Sequence, residues 1–131
     1  MQLTNGHQNS YIKKYTLGIG KIKIYEDYMV AQLNEGITLN IETVQEIILI
    51  AQKHFPKKPF AYITIRKHSY AVDPMMYLKV FEIENLKAIA IVSNKFIDSH
   101  NVKIEKHFFN KPMNIFKTLP DAVSWTKEYL V

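Results

Sequence analysis

The sequence predicts a single α/β domain. It has a mixed, mainly parallel sheet with helices packed on it, in the order β-β-α-β-α-β-α-β-α. Three observations lead there. After an opening pair of strands, β-branched apolar runs alternate with segments of helical periodicity, the pattern of right-handed βαβ crossovers. Two of the runs, Phe60 to Ile65 and Lys87 to Val92, are almost continuously apolar, as strands covered on both faces are. The 131 residues, 47% apolar and 22% charged, match one globular domain. A chain of this size buries about two thirds of its unfolded surface, so it needs no metal or disulfide to hold a core.

The elements follow in order. Residues 1–14 read as a flexible arm, rich in Asn, Gln and Gly and with little to bury, ahead of a domain over 15–131. Leu17 and Ile19 alternate in one phase, Ile22 and Ile24 in the other, and Gly20 marks a bulge or bend between them. Glu26 and Asp27 make a turn into the strand Tyr28 to Leu33. Asn40 caps a helix with Ile41, Val44, Ile47, Ile48, Ala51 and Phe55 on one stripe, stopped by Pro56. Asp73-Pro74 opens a second helix, running to about Phe81, with Met75 and Leu78 in its packing surface. Ser93 or Asn94 caps a third, with Ile97, Ile104 and Phe108 as its packing face. Asn114 to Phe116 is a short strand, and Thr118 caps the last helix.

Composition narrows the chemistry. No cysteine is present, which excludes disulfides, thiolate metal sites and cysteine nucleophiles. Of the five histidines no two stand at i, i+4. His100 and His107 are seven apart with Glu105 nearby, a spacing too generic to assign a metal. The lone Gly18-x-Gly20 sits against a strand and opens no helix, so no dinucleotide or other cofactor is implied. No Gly-x-Ser-x-Gly elbow or matched carboxylate pair occurs, and the chain is read as non-catalytic. The first ten residues lack the apolar core of a signal peptide, and the longest apolar run, Ile47 to Ala51, is far short of a membrane span. The expected location is cytoplasmic.

Charge is mildly basic, +5 with a pI near 9.3. No acid occurs between Glu46 and Asp73, a stretch holding Lys53, His54, Lys57, Lys58, Arg66, Lys67 and His68. Clustered in space, these would attract phosphate or an acidic partner; spread out, they are a solvated surface. The loop Arg66 to Asp73 follows a buried strand and enters a helix, the edge where open α/β sheets bind ligands. Arg66, Lys67, His68, Ser69 and Asp73 are therefore the candidate partner- or anion-binding residues, although a capping Asp73 competes with an anion. Tyr62 and Tyr70, interleaved with these cations, suit base stacking or core packing. Met75, Met76, Tyr77 and Phe81 are the candidate lining of an apolar cleft, or ordinary core.

The element order, the two apolar strands and the ending together resemble the STAS domain in its SpoIIAA-like branch, the fold of bacterial anti-sigma-factor antagonists. The ending is Phe108-Phe109-Asn110-Lys111-Pro112, then Ile115-Phe116, then a helix with Ala122 and Trp125 in an Ala-x-x-Trp pattern. The similarity spans Tyr15 to Leu130. In such proteins a serine in an Asp-Ser-Ser-Gly motif, at the start of the second helix, is phosphorylated. The corresponding loop here holds one serine, Ser69, and no glycine, so the phosphosite is not carried over. Asp98-Ser99 spells half of that motif, but too little chain follows it to complete the fold. The resemblance implies a regulatory module that docks an unidentified protein partner. A small apolar ligand is the alternative, and nucleic acid bound by the basic stretch 53–68 the less favoured one. A homodimer is compatible with the ample apolar surface.

Overall fold

The computed structural model describes residues 10–67 and 70–131. Residues 1–9 of the expected arm, and the candidates His68 and Ser69, lie outside the described residues. Lys13 and Lys14, placed by expectation in the arm, belong to a strand: β1 (Lys13–Leu17) pairs Lys13 with Ile24 and Lys14 with Lys23 of β2 (Gly20–Ile24). The phase change near Gly20 is a two-residue hairpin turn at Gly18 and Ile19, not a bend in one continuous strand. Gly20 has φ 150°. A Cβ there would stand 2.5 Å from the Gln32 carbonyl oxygen and 2.7 Å from Leu33 Cα, so only glycine lets β2 close on β3 (Tyr28–Leu33).

Three strands extend the sheet in parallel from β3: β5 (Phe60–Ile65), β7 (Leu86–Val92) and β8 (Met113–Phe116). The full order is β1-β2-β3-β5-β7-β8. The expected mixed, mainly parallel α/β sheet is thus present. A small addition is a parallel pair of two-residue strands, β4 (Thr38–Leu39) and β6 (Ala71–Val72), which converts the end of the Arg66–Asp73 loop into sheet.

The layers follow from the connections. The crossovers β3 to β5, β5 to β7 and β7 to β8 all advance the same way. Right-handed crossovers then set α1 (Val44–His54), α2 (Met76–Val80) and α3 (Phe96–Glu105) on one face. They bury Ile22, Ile24, Met29, Ala31, Ile89 and Ile91 from the strands below. The last helix, α4 (Leu119–Lys127), folds back on the opposite face and lies over β5, β7 and β8, against Ala61, Ile63, Ala90 and Val92. Among the described residues it leaves most of that face of β1 and β2 uncovered by a helix.

Local chemistry sets the helix starts. Asn40 and Thr43 cap one another: Thr43 N–H donates to Asn40 Oδ1, and Asn40 N–H donates to Thr43 Oγ1, both at 2.9 Å. This turn precedes α1, so Ile41 is exposed rather than part of the buried stripe. Asp73 Oδ1 accepts from Met75 N–H at 3.1 Å, and α2 starts after it, at Met76. Thr118 Oγ1 accepts from Asp121 N–H at 3.3 Å, the expected cap of α4. In α3 the packing face differs from expectation. Ile97 and Ile104 are exposed and Phe108 is half-buried, while Val102 and Glu105 are buried. The helix turns Glu105 inward because a buried arginine needs its carboxylate. Among the described residues no helix is long and apolar enough to cross a membrane.

Candidate functional site

The loop after β5 begins with Arg66, and its guanidinium points into the protein. It donates to both carboxylate oxygens of Glu105, from Nη1 to Oε2 at 2.8 Å and from Nη2 to Oε1 at 2.6 Å. Its Nε donates to the Tyr70 hydroxyl at 3.2 Å, and the guanidinium stands 5.6 Å from the Tyr70 ring centroid. The Tyr70 hydroxyl also meets Thr64 Oγ1 at 3.1 Å, and the Tyr77 hydroxyl donates to Glu105. Burial is the largest single influence and disfavours the guanidinium charge, but the Glu105 hydrogen bonds and the electrostatic contributions of Tyr70, Glu105 and Tyr77 together outweigh it and hold Arg66 protonated. Burial, then the Glu105 charge, push the Tyr77 hydroxyl well above the usual phenol range.

This geometry corrects the expectation for Arg66. Its fork is filled by Glu105, so it presents no free charge to an outside anion. It ties the end of β5 to α2 and α3 instead. Of the other candidates, Lys67 is exposed, and Asp73 caps the turn before α2. Tyr70 is bound into the network. The Tyr62 hydroxyl is buried and pushed far up in pKa by that burial, so neither ring offers a stacking platform beside Lys67. One of the clefts at the carboxyl ends of β5, β7 and β8, of about 230 Å³, is lined by Lys67, Ser93, Asn94, Lys95 and Lys117 among others. The Ser93 hydroxyl donates to Asp98 Oδ2 at 2.6 Å and accepts from Lys95 N–H, which fixes that rim. The periodicity of α3 carried no signal of Lys95 and Lys117 meeting Lys67; only the order of the strands brings them together.

The four apolar candidates also divide. Met76 and Tyr77 face inward and, with α1 and the sheet, enclose a cavity of about 40 Å³. That is far below the roughly 300 Å³ at which small-molecule pockets begin. Met75 and Phe81 face solvent, so the four residues do not form one cleft. The expectation that Met75 and Leu78 belong to the packing surface is corrected as well. Met75, Leu78 and Phe81, spaced three apart, are 45%, 51% and 41% exposed and form an outward apolar row on α2 and its ends. A helix of five residues shows less than two turns of pattern, too few to tell its sides from spacing. Lys111 holds the end of the row, with Nζ 5.2 Å from the Phe81 ring centroid and donating to the carbonyls of Ile83 and Leu86.

The described cations of the basic stretch 53–68 do not gather. Lys53 and His54 end α1 and Lys57 and Lys58 precede β5, whereas Arg66 and Lys67 follow it. A six-residue strand separates the groups by about 20 Å. His54 is engaged with the Tyr15 hydroxyl at 2.7 Å, and Lys58 Nζ donates to the Glu26 carbonyl at 2.7 Å. Among the described residues no three His, Asp or Glu side chains come close enough to hold a metal ion.

No protein-family model and no curated protein matches the chain. Among solved structures it is similar to an uncharacterised protein of the DUF3478 family with a SpoIIAA-like fold, from Shewanella loihica PV-4. The two share 13% identity and a TM-score of 0.55, over 92% of this chain and 98% of that one. At that identity the likeness concerns the fold, and it agrees with the SpoIIAA-like architecture read from the sequence.

Proposed function

We propose that this SpoIIAA-like chain is a non-catalytic regulatory module that docks a protein partner through Lys67, the segment 70–73 and the outer side of α2. The observation that carries the reading is the exposed row Met75, Leu78 and Phe81. Large apolar side chains held out on a short helix cost solvation, and such rows serve as anchors for another surface. The buried Arg66–Glu105–Tyr77 network supports the same reading, since it fixes the floor beneath α2 and keeps the row in place. The three side chains of that network satisfy one another, which is how a structural network behaves. Lys67, Lys95 and Lys117, at the sheet edge where the loop toward α2 begins, suit a partner with acidic residues at its rim.

A photo-crosslinking residue at Leu78, compared with one at exposed Glu128 beyond α4, tests the reading in cells. The expected result is a discrete protein adduct at 78 and none at 128, lost in the M75D/F81D variant. Equal labelling at both positions would overturn it.

A further inference from the structure

The face of the sheet that α4 leaves open carries a second, differently built surface. Lys14 of β1 stands directly opposite Lys23 of β2, and Lys21 lies two residues along β2, opposite Thr16. Strand alternation sends all three to the uncovered face, because Ile22 and Ile24 point to the helices. Like charges directly opposite one another weaken a sheet, so folding gains nothing from this pair. Among the described residues none of the three lysines forms an ion pair. They rim a concavity of about 400 Å³ whose other walls include Tyr25, Gln32, Asn34 and Ile65, and among the described residues no carboxylate lines it.

Aromatic rings stand beside the cations. Lys23 Nζ is 5.1 Å from the centroid of the exposed Tyr11 ring. Tyr25 lines the concavity and is braced from behind by Tyr28, stacked at 4.6 Å and 10°. Lys21 and Lys23 leave the β2 backbone about 7 Å apart on the same face. The Asn34 amide donates to the Gly18 carbonyl at 3.0 Å, which fixes the hairpin turn at the rim of the concavity.

We propose that this open sheet face binds single-stranded nucleic acid without sequence preference. Lys14, Lys21 and Lys23 meet phosphates, and Tyr11 and Tyr25 stack on bases. A second copy of the chain is disfavoured, because it would bring three more lysines. An acidic protein is the rival occupant, and oligoglutamate in the test below separates it from a single strand. A cationic groove with aromatic platforms is the arrangement single strands require. The proposal concerns a different surface from the α2 row, so the two stand or fall separately.

The test is fluorescence anisotropy on the full chain with a labelled oligothymidylate of about 16 nucleotides. Binding is expected at low salt, with a slope of log K against log salt of about −2 for three phosphate contacts. K21E/K23E should lose binding at least about tenfold. Its melting temperature should not fall, since the carboxylate introduced at position 23 would face Lys14 as an ion pair. K103E/K106E, the same change in charge at exposed positions on and just after α3, should bind as the natural chain does. Y11A and Y25L should each lose about fivefold or more. No binding at low salt would overturn the proposal. So would equal loss in the two charge-reversed variants, or equal affinity for oligoglutamate, duplex DNA or phosphatidylserine vesicles.

Discussion

The two faces of the sheet are built by opposite rules. The face under α1, α2 and α3 is closed: Ile22, Met29, Ile89 and their neighbours are buried from β2 across to β7. Among the described residues the other face is closed where α4 lies on it, over β5, β7 and β8, and is left to lysines, Tyr25 and Gln32 toward β1. Three crossovers advancing in one direction supply three helices to one side, and one returning helix supplies the other. Coverage therefore follows from connectivity. The strands record it residue by residue, since Leu86–Val92 is apolar on both sides while Gly20–Ile24 alternates. One face is committed to stability. The open half of the other is available for contact.

Mutations can break or sharpen that contrast. The largest effect belongs to the closed side. E105A leaves the Arg66 guanidinium buried with no carboxylate and should cost about 3–5 kcal/mol in urea denaturation. R66M/E105L should cost clearly less than either single change, because no buried charge is left over. Next come two neighbours on β2. I22A, a fully buried position, should cost about 2–5 kcal/mol, whereas K21A should stay within about 0.5 kcal/mol of the natural chain. T118A removes the cap of α4 and should cost about 1 kcal/mol, read as a lower urea midpoint. K23E should stabilise by about 0.5 kcal/mol, replacing a like-charged cross-strand pair with an opposite one.

The smallest effect is one of pH. Burial, then the charges of Lys53 and Lys13, lower His54 below its ordinary 6.5. The folded chain thus binds this proton less readily than the unfolded one. The contribution is neutral above 6.5, and stability is lost as pH falls from there through the lowered value. Melting temperatures between about pH 8 and pH 5 should decline less steeply in H54Q than in the natural chain.

The sequence announced the closed side well and the open side hardly at all. Phe60–Ile65, Leu86–Val92 and the Thr118 cap were legible because periodicity and capping are local. Arg66 misled because its partner, Glu105, lies 39 residues away on α3, beyond the reach of any local pattern. The same distance explains the misread face of α3, which is set by that carboxylate and not by Ile97 or Ile104. The Met75–Phe81 segment was legible as a helix but not as two sides, since its turns are too few to show which side the sheet takes. Lys14 and Lys23 are ordinary surface lysines in sequence and become a pair only through the turn at Gly18 and Ile19.

Strand β1 also bounds the sheet. Among the described residues its outer backbone groups have no strand beside them. Such an edge is a template on which another extended chain can grow, and Lys13 and Lys14, both exposed, guard it by charge repulsion. Acetylation of these two side chains would leave the fold intact and remove the guard. The expected outcome for K13Q/K14Q is an unchanged melting temperature with more self-association, read by light scattering.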